Sequence, residues 1–454
     1  MDKKPVPFSE LKNIILKNIN KNITKGKPER GFSRFEFRTE NVDPLMWLKV
    51  QPNREKIYFE PRGRGEPLVA AAGCSYQITP DSGEDLTSYF KRLNDNLSDG
   101  IRFYGGVSFC KDIPAGSEWE PFGNFKFILP RFEYIKRDNR AYFAINILNS
   151  ELIGDEVNRV INEVKSITLS VPENYEKAGK CSFIKYTPDK EGWIATTSSY
   201  LEKIKRGEIE KIVAARRMEL SNSGNVDPFK VVSDLKRSGD FAAHFLLTFN
   251  GEDFFAGSTP ERLFYRDGEL LTTESVAGTT KRGSDEAKDK LYGDQLLDSK
   301  KDKLEHDFVT NDIVNKIDPV CEPVAISERV LLKLSNLQHL YRRISGKLKK
   351  GITDGEILDK LFPTPAVSGL PLKKCLEILQ KEEQFSRGWY AGIVGFAGKD
   401  ISDYYVGIRS ILINSEKIYV YSGAGIVKGS DPEREWEEID LKIKKYKTIL
   451  KYEN

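Results

Sequence analysis

The segment GAGIVKGSDPEREWEEIDLKIKK, Gly423 to Lys445, runs a glycine-rich turn straight into a dense row of acids. A helix entry is well marked here. Ser430 or Asp431 can cap it, Pro432 suits the first turn, and the acids that follow favour the positive end of the helix dipole. Glu435, Glu438 and Lys442 are spaced i, i+3, i+7 and share one face. Ile439, Ile443, Tyr446 and Leu450 make an adjoining apolar stripe that faces a core. The three polar groups therefore stand at the edge of the core. Two readings stay open for them: a solvated face with local ion pairs, or carboxylates that hold a cation beside an anionic ligand.

A second acidic face occurs in KKDKLEHDFVTNDI, where Asp302, Glu305 and Asp312 fall on one side of a helical pattern. Two such faces can bind a hard cation through a few oxygens plus water, the usual way magnesium is held. A charged surface helix explains the same pattern. His306, alone among these acids, reads as a structural hydrogen-bonding residue. Lys211 opens the strand-like run KIVAAR; it is either solvated or desolvated in a cleft and able to act as a base. Glu261, in GSTPERLF, is either a surface turn acid or a general acid in a pocket. The small-residue stretches ESVAGT and SGAGIV let backbone N–H groups at Gly278, Gly423 and Gly425 approach an anion. Neither is a GxGxxG or P-loop pattern, and there is no GxSxG or Cys/His nucleophile arrangement.

Around these landmarks, strand-like runs come in pairs and helical runs in blocks. HFLLTFN and DFFAGS read as strands. RLFYRDGELLTTESVAGT reads as a hairpin about Asp267-Gly268, and YYVGIRSILINSEKIYVYSGAG as another, turning at Asn414-Ser415. Helices are expected over 285–317, over 368–383 and from Pro432 to near the C-terminus. This pattern predicts an α+β architecture with largely antiparallel sheets. No internal repeat or low-complexity linker is present.

The 454 residues carry 39% hydrophobic and 31% charged residues, the composition of a soluble globular protein. A net charge of only +3 argues against nucleic acid as a partner. The five cysteines lie far apart with no CxxC pair, so neither zinc nor a disulfide framework is expected. The start lacks the apolar region of a secretory leader and no run reaches the length of a membrane span, so a cytoplasmic protein is expected.

KIVAAR, GSTPERLF, TTESVAGTTKRG, LEHDFV, LQHL, FPTPAVSGLP, RGWYAGIVGF, VGIRS and the opening segment, in this order, resemble the chorismate-utilising enzymes. That family includes isochorismate, salicylate, anthranilate and aminodeoxychorismate synthases. The likeness covers Lys211 to the C-terminus, and RFYGGVSF from Arg102 extends it weakly into the N-terminal half. It implies one large α+β domain over 1–454, with two antiparallel β-sheets packed with helices around a buried site. Residues 1–195 form the more variable part and 196–454 the catalytic core. It also implies magnesium holding the ring carboxylate of chorismate, with Glu305 and Glu438 as ligands and Glu435 and Asp302 close by. Arg409 resembles the family's arginine for the enolpyruvyl carboxylate, assisted by Gly423 and Lys442. His339 matches its buried site histidine, and Gly278, Thr279 and Gly425 lie along the substrate.

The member within the family turns on a few positions. Isochorismate and salicylate synthases carry a lysine where Lys211 stands, to activate water, and Ala277 replaces the nucleophilic lysine of many aminodeoxychorismate synthases. The resemblance thus implies water attack at C2, with Lys211 as base and Glu261 donating a proton to the departing C4 hydroxyl. Ala366 matches isochorismate synthases, where salicylate synthases tend to have threonine. Tyr390 is shared with both. Phe362 departs from a histidine common in the family. Salicylate synthase is the alternative, and a non-catalytic chorismate-binding subunit a more distant one. The extended N-terminal half is more like menaquinone-type enzymes than siderophore-type ones. No glutaminase partner is expected, and a monomer or weak homodimer is.

Overall fold

A computed structural model describes residues 5–23, 31–63, 66–81, 83–109, 113–114, 116–153, 155–172, 179–224, 226–239, 241–333 and 337–451. Among them, twenty strands join into one hydrogen-bonded network flanked by helices. The order follows from the pairings. The strand Lys211–Ser221 pairs with Lys417–Val427, which continues through Ser410–Ile413, Phe254–Thr259, Ala243–Thr248 and Lys56–Glu60 to Leu68–Ile78, every step antiparallel. A second run leads from Arg102–Val107 through Ile393–Gly398, Ile401–Val406, Arg262–Asp267 and Leu270–Lys281 to Leu337–Leu348. The long strand Phe125–Arg137 belongs to both: it pairs with Leu68–Ile78 along its length and with Arg102–Val107 through its first residues. The two antiparallel halves thus share a strand, and elements from the N-terminal part are paired directly with the chemistry-bearing half.

Alternation along the strands shows how the layers stack. Ile57 and Phe59, Val69 and Ala71, Phe245 and Leu247 point into one core, shared with Phe396 and Tyr405 of the second run. Their neighbours Tyr58, Ala70 and Leu246 point to the opposite face, under the helices Leu11–Ile23, Pro228–Arg237 and Pro432–Leu450. Strands buried on both faces read as near-continuous apolar runs, which is the character of HFLLTFN. Phe59 crosses the gap to contact Phe396 and Tyr405 edge-on, with ring centroids 5.9 Å apart.

The closing helix forms as expected: Asp431 caps it by accepting from Glu433 and Arg434 N–H, and Ile439, Ile443, Tyr446 and Leu450 are buried. Two expectations need correction. The helix expected over 285–317 is two helices, Glu286–Asp298 and Lys300–Ile317, because Ser299 leaves the helical conformation to cap the second. The helix expected from 368 begins at Leu372, since Gly369–Leu370 instead bridges to Lys211 and Ile212 as a short strand. No helix among the described residues is long and apolar enough to cross a membrane.

Candidate active site

Five elements carry most of the candidate residues: the strand Lys211–Ser221, its neighbour Lys417–Val427, the strand Leu270–Lys281, and the helices Lys300–Ile317 and Pro432–Leu450. Gly425 lies beside the first residues of the Lys211 strand because the two strands pair in register. A Cβ at Gly425 would stand 2.9 Å from Lys211 Cε, so the bare backbone here is what gives the lysine its room. Desolvation lowers the Lys211 amine below its ordinary range, with Lys442 adding to the effect; Glu305 and Glu261 pull the other way. Lys211 therefore lies within electrostatic reach of both Glu305 and Glu261.

Glu261 stands in the turn between Phe254–Thr259 and Arg262–Asp267, where its carbonyl accepts from Val406 N–H at 3.0 Å. Burial pushes its carboxyl up to about 7, and the nearby Glu274 adds to this. Thr364 Oγ1–H donates to Glu261 Oε1 at 3.3 Å and with Lys211 and Arg62 moderates the rise. An amine pushed down and a carboxyl pushed up, each feeling the other's charge, is the arrangement an acid–base pair needs near neutral pH.

The anion-binding side is built from backbone and cations. The strand Leu270–Lys281 bulges between Ala277 and Thr279, and Gly278 takes a φ of +69° there. A Cβ at Gly278 would lie 3.2 Å from Asp302 Cβ, so this glycine lets the strand meet the first turn of the helix Lys300–Ile317. Thr279 Oγ1 and His339 Nδ1, opposite each other in the ladder, are hydrogen-bonded at 2.9 Å. Burial pushes His339 down to about 4, and the Arg409 and Lys442 cations press it further. A neutral imidazole is thus held among cations, as suits a site made for an anion. Arg409 has a φ of +50°, uncommon for a side chain with a Cβ. Its carbonyl accepts from Ser258 N–H at 3.0 Å and from the Tyr446 hydroxyl, which fix the backbone that carries the guanidinium.

Lys442 ties the two walls together. Its Nζ donates to the Gly423 carbonyl at 2.9 Å and pairs with Glu438 at 2.7 Å. Tyr390 stacks on Tyr421 at 5.1 Å with a 16° angle, and a Cβ at Gly423 would come within 3.0 Å of its hydroxyl. Glu435 is pushed up by burial and by Glu438, while the Ser430 hydroxyl lowers it. Asp302 accepts from the Ser299 hydroxyl. Among the described residues no three His, Cys, Asp or Glu side chains converge on one point. The candidate donors are carboxylates alone, carried on two helices, and on the closing helix they are close enough for Glu438 to push Glu435 up, a repulsion that a hard cation would relieve.

Asp312 does not join the set; it pairs with Lys316 at 2.8 Å. His306 is structural as expected: Arg329 Nε–H donates to its Nδ1 at 3.1 Å, and its Nε2 lies 3.0 Å from the Ser275 carbonyl. Ala366 lies exposed in the turn two residues beyond Thr364, and Phe362 packs against the main core.

Three contributors escape a residue-by-residue reading. Thr364 touches Glu261, yet it lay unmarked inside FPTPAVSG. Arg387, fully buried, donates to the Val213 and Val367 carbonyls at 2.7 Å each, stapling the Thr364 turn to the Lys211 strand. The Arg62–Glu274 pair stands behind Glu261. Only a buried arginine in RGWYAG offered any local signal, and that signal is weak.

Comparison with known proteins agrees with this geometry. Residues 17–451 match the family of chorismate binding enzymes. A chloroplastic isochorismate synthase of Catharanthus roseus is 32% identical over 401 residues, 85% of this chain and 69% of that protein. Anthranilate synthase component 1 of Saccharolobus solfataricus is 34% identical over 356 residues, 78% of each. The solved structure of the menaquinone-specific isochorismate synthase of Escherichia coli superposes with a TM-score of 0.84 at 27% identity, covering 96% of this chain and 99% of that one. The chain belongs to the chorismate-binding enzyme family.

Proposed function

We propose that this protein is an isochorismate synthase, an isomerase that moves the hydroxyl of chorismate from C4 to C2. The observation that carries the reading is a desolvated Lys211 whose charge is felt by a buried Glu261 pushed up to about 7. Arg409 and Lys442 receive the carboxylates of the substrate, with Gly278, Gly423 and Gly425 admitting it close to the backbone. Lys211, as the free amine, takes a proton from water as its oxygen bonds to C2. The ring double bonds shift, the C4–O bond breaks, and Glu261 gives its proton to the leaving hydroxyl, which departs as water. The Lys211 ammonium and the Glu261 carboxylate then exchange a proton through solvent, and the site is reset. Both groups need the protonation state opposite to their ordinary one, and burial shifts each of them in that direction.

Glu305 and Glu438 would hold a magnesium ion, with Glu435 and Asp302 acting through water. Their oxygen-only chemistry suits it. When bound, the ion neutralises the ring carboxylate and fixes it in place. The pathway we assign is menaquinone biosynthesis, supported by the likeness over nearly the whole length to the menaquinone-specific enzyme.

A second reading, salicylate synthase, draws on Tyr390, which lies against the Gly423 backbone. Incubating the protein with chorismate, with and without magnesium and ammonia, and separating the products decides between them. Isochorismate formed only with magnesium supports the proposal. Salicylate with equal pyruvate moves the chain to the second reading. Anthranilate formed only with ammonia overturns both.

A further inference from the structure

The turn that carries Glu261 is braced by a segment some two hundred residues earlier. Arg62, with its side chain 2% exposed, donates from Nη1 to the carbonyl of Pro260, the residue directly before Glu261. Its Nη2 pairs with Glu274, whose side chain is 5% exposed. Tyr341 donates its hydroxyl to the same Glu274 oxygen at 3.2 Å. The backbone of Arg62 is itself held on both sides: its N–H donates to Tyr405 Oη at 3.0 Å and its carbonyl accepts from Arg262 Nη2 at 3.1 Å. Yet Arg62 Nε and Glu274 Oε2 are buried without a hydrogen-bond partner among the described residues. A buried ion pair with loose polar ends is a poor way to gain stability, and unsatisfied buried polar atoms call for another explanation.

We propose that Arg62 and Glu274 are positioning residues for the isomerisation: the pair aims the Pro260–Glu261 turn and balances the field at the Glu261 carboxyl. This rests on the acid role given to Glu261 above. The groups facing Glu261 are few. Lys211 comes from its own strand, the Thr364 hydroxyl from the turn after Leu361, Glu274 from the neighbouring strand, and Arg62 from the N-terminal part. One layer behind, Arg262 and Asp403 pair at 2.9 Å. Of the two charges in the Arg62–Glu274 pair, Glu274 favours the protonated acid and Arg62 opposes it, and Glu274 has the larger effect of the two. Removing one charge therefore moves Glu261 one way, removing the other moves it back, and removing both leaves it near its starting point.

The test uses three variants of the full chain: Glu274→Gln, Arg62→Met and the double variant. The Glu261 titration is read by infrared difference spectra of protein carrying 13C-labelled glutamate, with Glu261→Gln as the blank. The alkaline limb of kcat/KM against pH is read alongside. The expected result is a downward displacement of about one pH unit in Glu274→Gln, an upward one in Arg62→Met, and a return to within a few tenths in the double variant. Should Arg62→Met not fold, the other two variants decide the case. Displacements in the same direction, none at all, or a double variant that stays with Glu274→Gln overturn the proposal, since a merely structural brace lowers kcat without moving a titration in opposite senses. The infrared readout does not need turnover. Opposed displacements in a protein that leaves chorismate unchanged therefore uphold the pair while refuting the activity it is said to serve.

Discussion

Glu261 and Glu438 are the same side chain in one site, and the fold treats them oppositely. Glu261 is enclosed between sheets, touched by a single hydroxyl, and pushed up to about 7 by burial. Glu438 stands on an exposed helix face with its side chain 54% exposed, paired with Lys442. The difference suits each position to the role proposed for it. A proton donor must be protonated near neutral pH, which requires removing water and opposing charge. A ligand for a hard cation must be ionised and reachable by a hydrated ion. Lys211 belongs with Glu261 on the desolvated side, while Lys442 and Asp302 belong with Glu438.

Breaking the enclosed side has the largest expected effect. Lys211→Ala and Glu261→Gln each lower kcat by roughly 10²–10⁴-fold with little change in KM, measured by steady-state kinetics of chorismate loss. On the exposed side, Glu438→Gln or Glu305→Gln raises the magnesium concentration for half-maximal rate by about tenfold or more, the loss of one charged contact. Near-saturating metal recovers most of kcat there, whereas it rescues neither enclosed variant.

Thr364→Val sharpens the contrast more gently. It removes the hydroxyl that holds the Glu261 carboxylate, so the acid rises above its value of about 7 and the alkaline limb moves to higher pH. The rate falls about five- to tenfold, the worth of one hydrogen bond. A final effect concerns stability, with rate set aside. A carboxyl raised in the folded state destabilises the fold as pH climbs from 4.5 to about 7. Glu261→Gln lacks that loss, so above pH 7 it is more stable than the parent by up to about 3 kcal/mol, and below pH 4.5 the two converge. Thermal melts at pH 4 and pH 8 check both halves of that statement.

Legibility in the sequence divides along similar lines. The closing helix was readable to its cap, because Asp431, Pro432 and the stripe of Ile439, Ile443, Tyr446 and Leu450 are all local signals. The hairpin at Asp267-Gly268 was readable for the same reason. Lys211, Glu261 and the acids were marked only as alternatives by residue chemistry; their common site came from the ordered resemblance. Asp312 shares the face of Asp302 and Glu305 by helical spacing, but spacing does not say which partner each acid takes, and Asp312 takes Lys316. The break at Ser299 was missed because a serine is tolerated in a helix and caps only where the chain turns. Arg62 carried no signal at all: its partners Pro260 and Glu274 lie far along the chain, and only the sheet pairing of Lys56–Glu60 with Ala243–Thr248 brings them near.

The central claim is that water, activated by Lys211, supplies the new hydroxyl. Running the reaction from chorismate in H2 18O with magnesium and analysing the product by mass spectrometry tests it most directly. The account predicts isochorismate with one 18O at C2, formed at least about a hundredfold more slowly by Lys211→Ala. Isochorismate that carries no label would mean the hydroxyl migrates without solvent water, and the paired roles of Lys211 and Glu261 would be wrong.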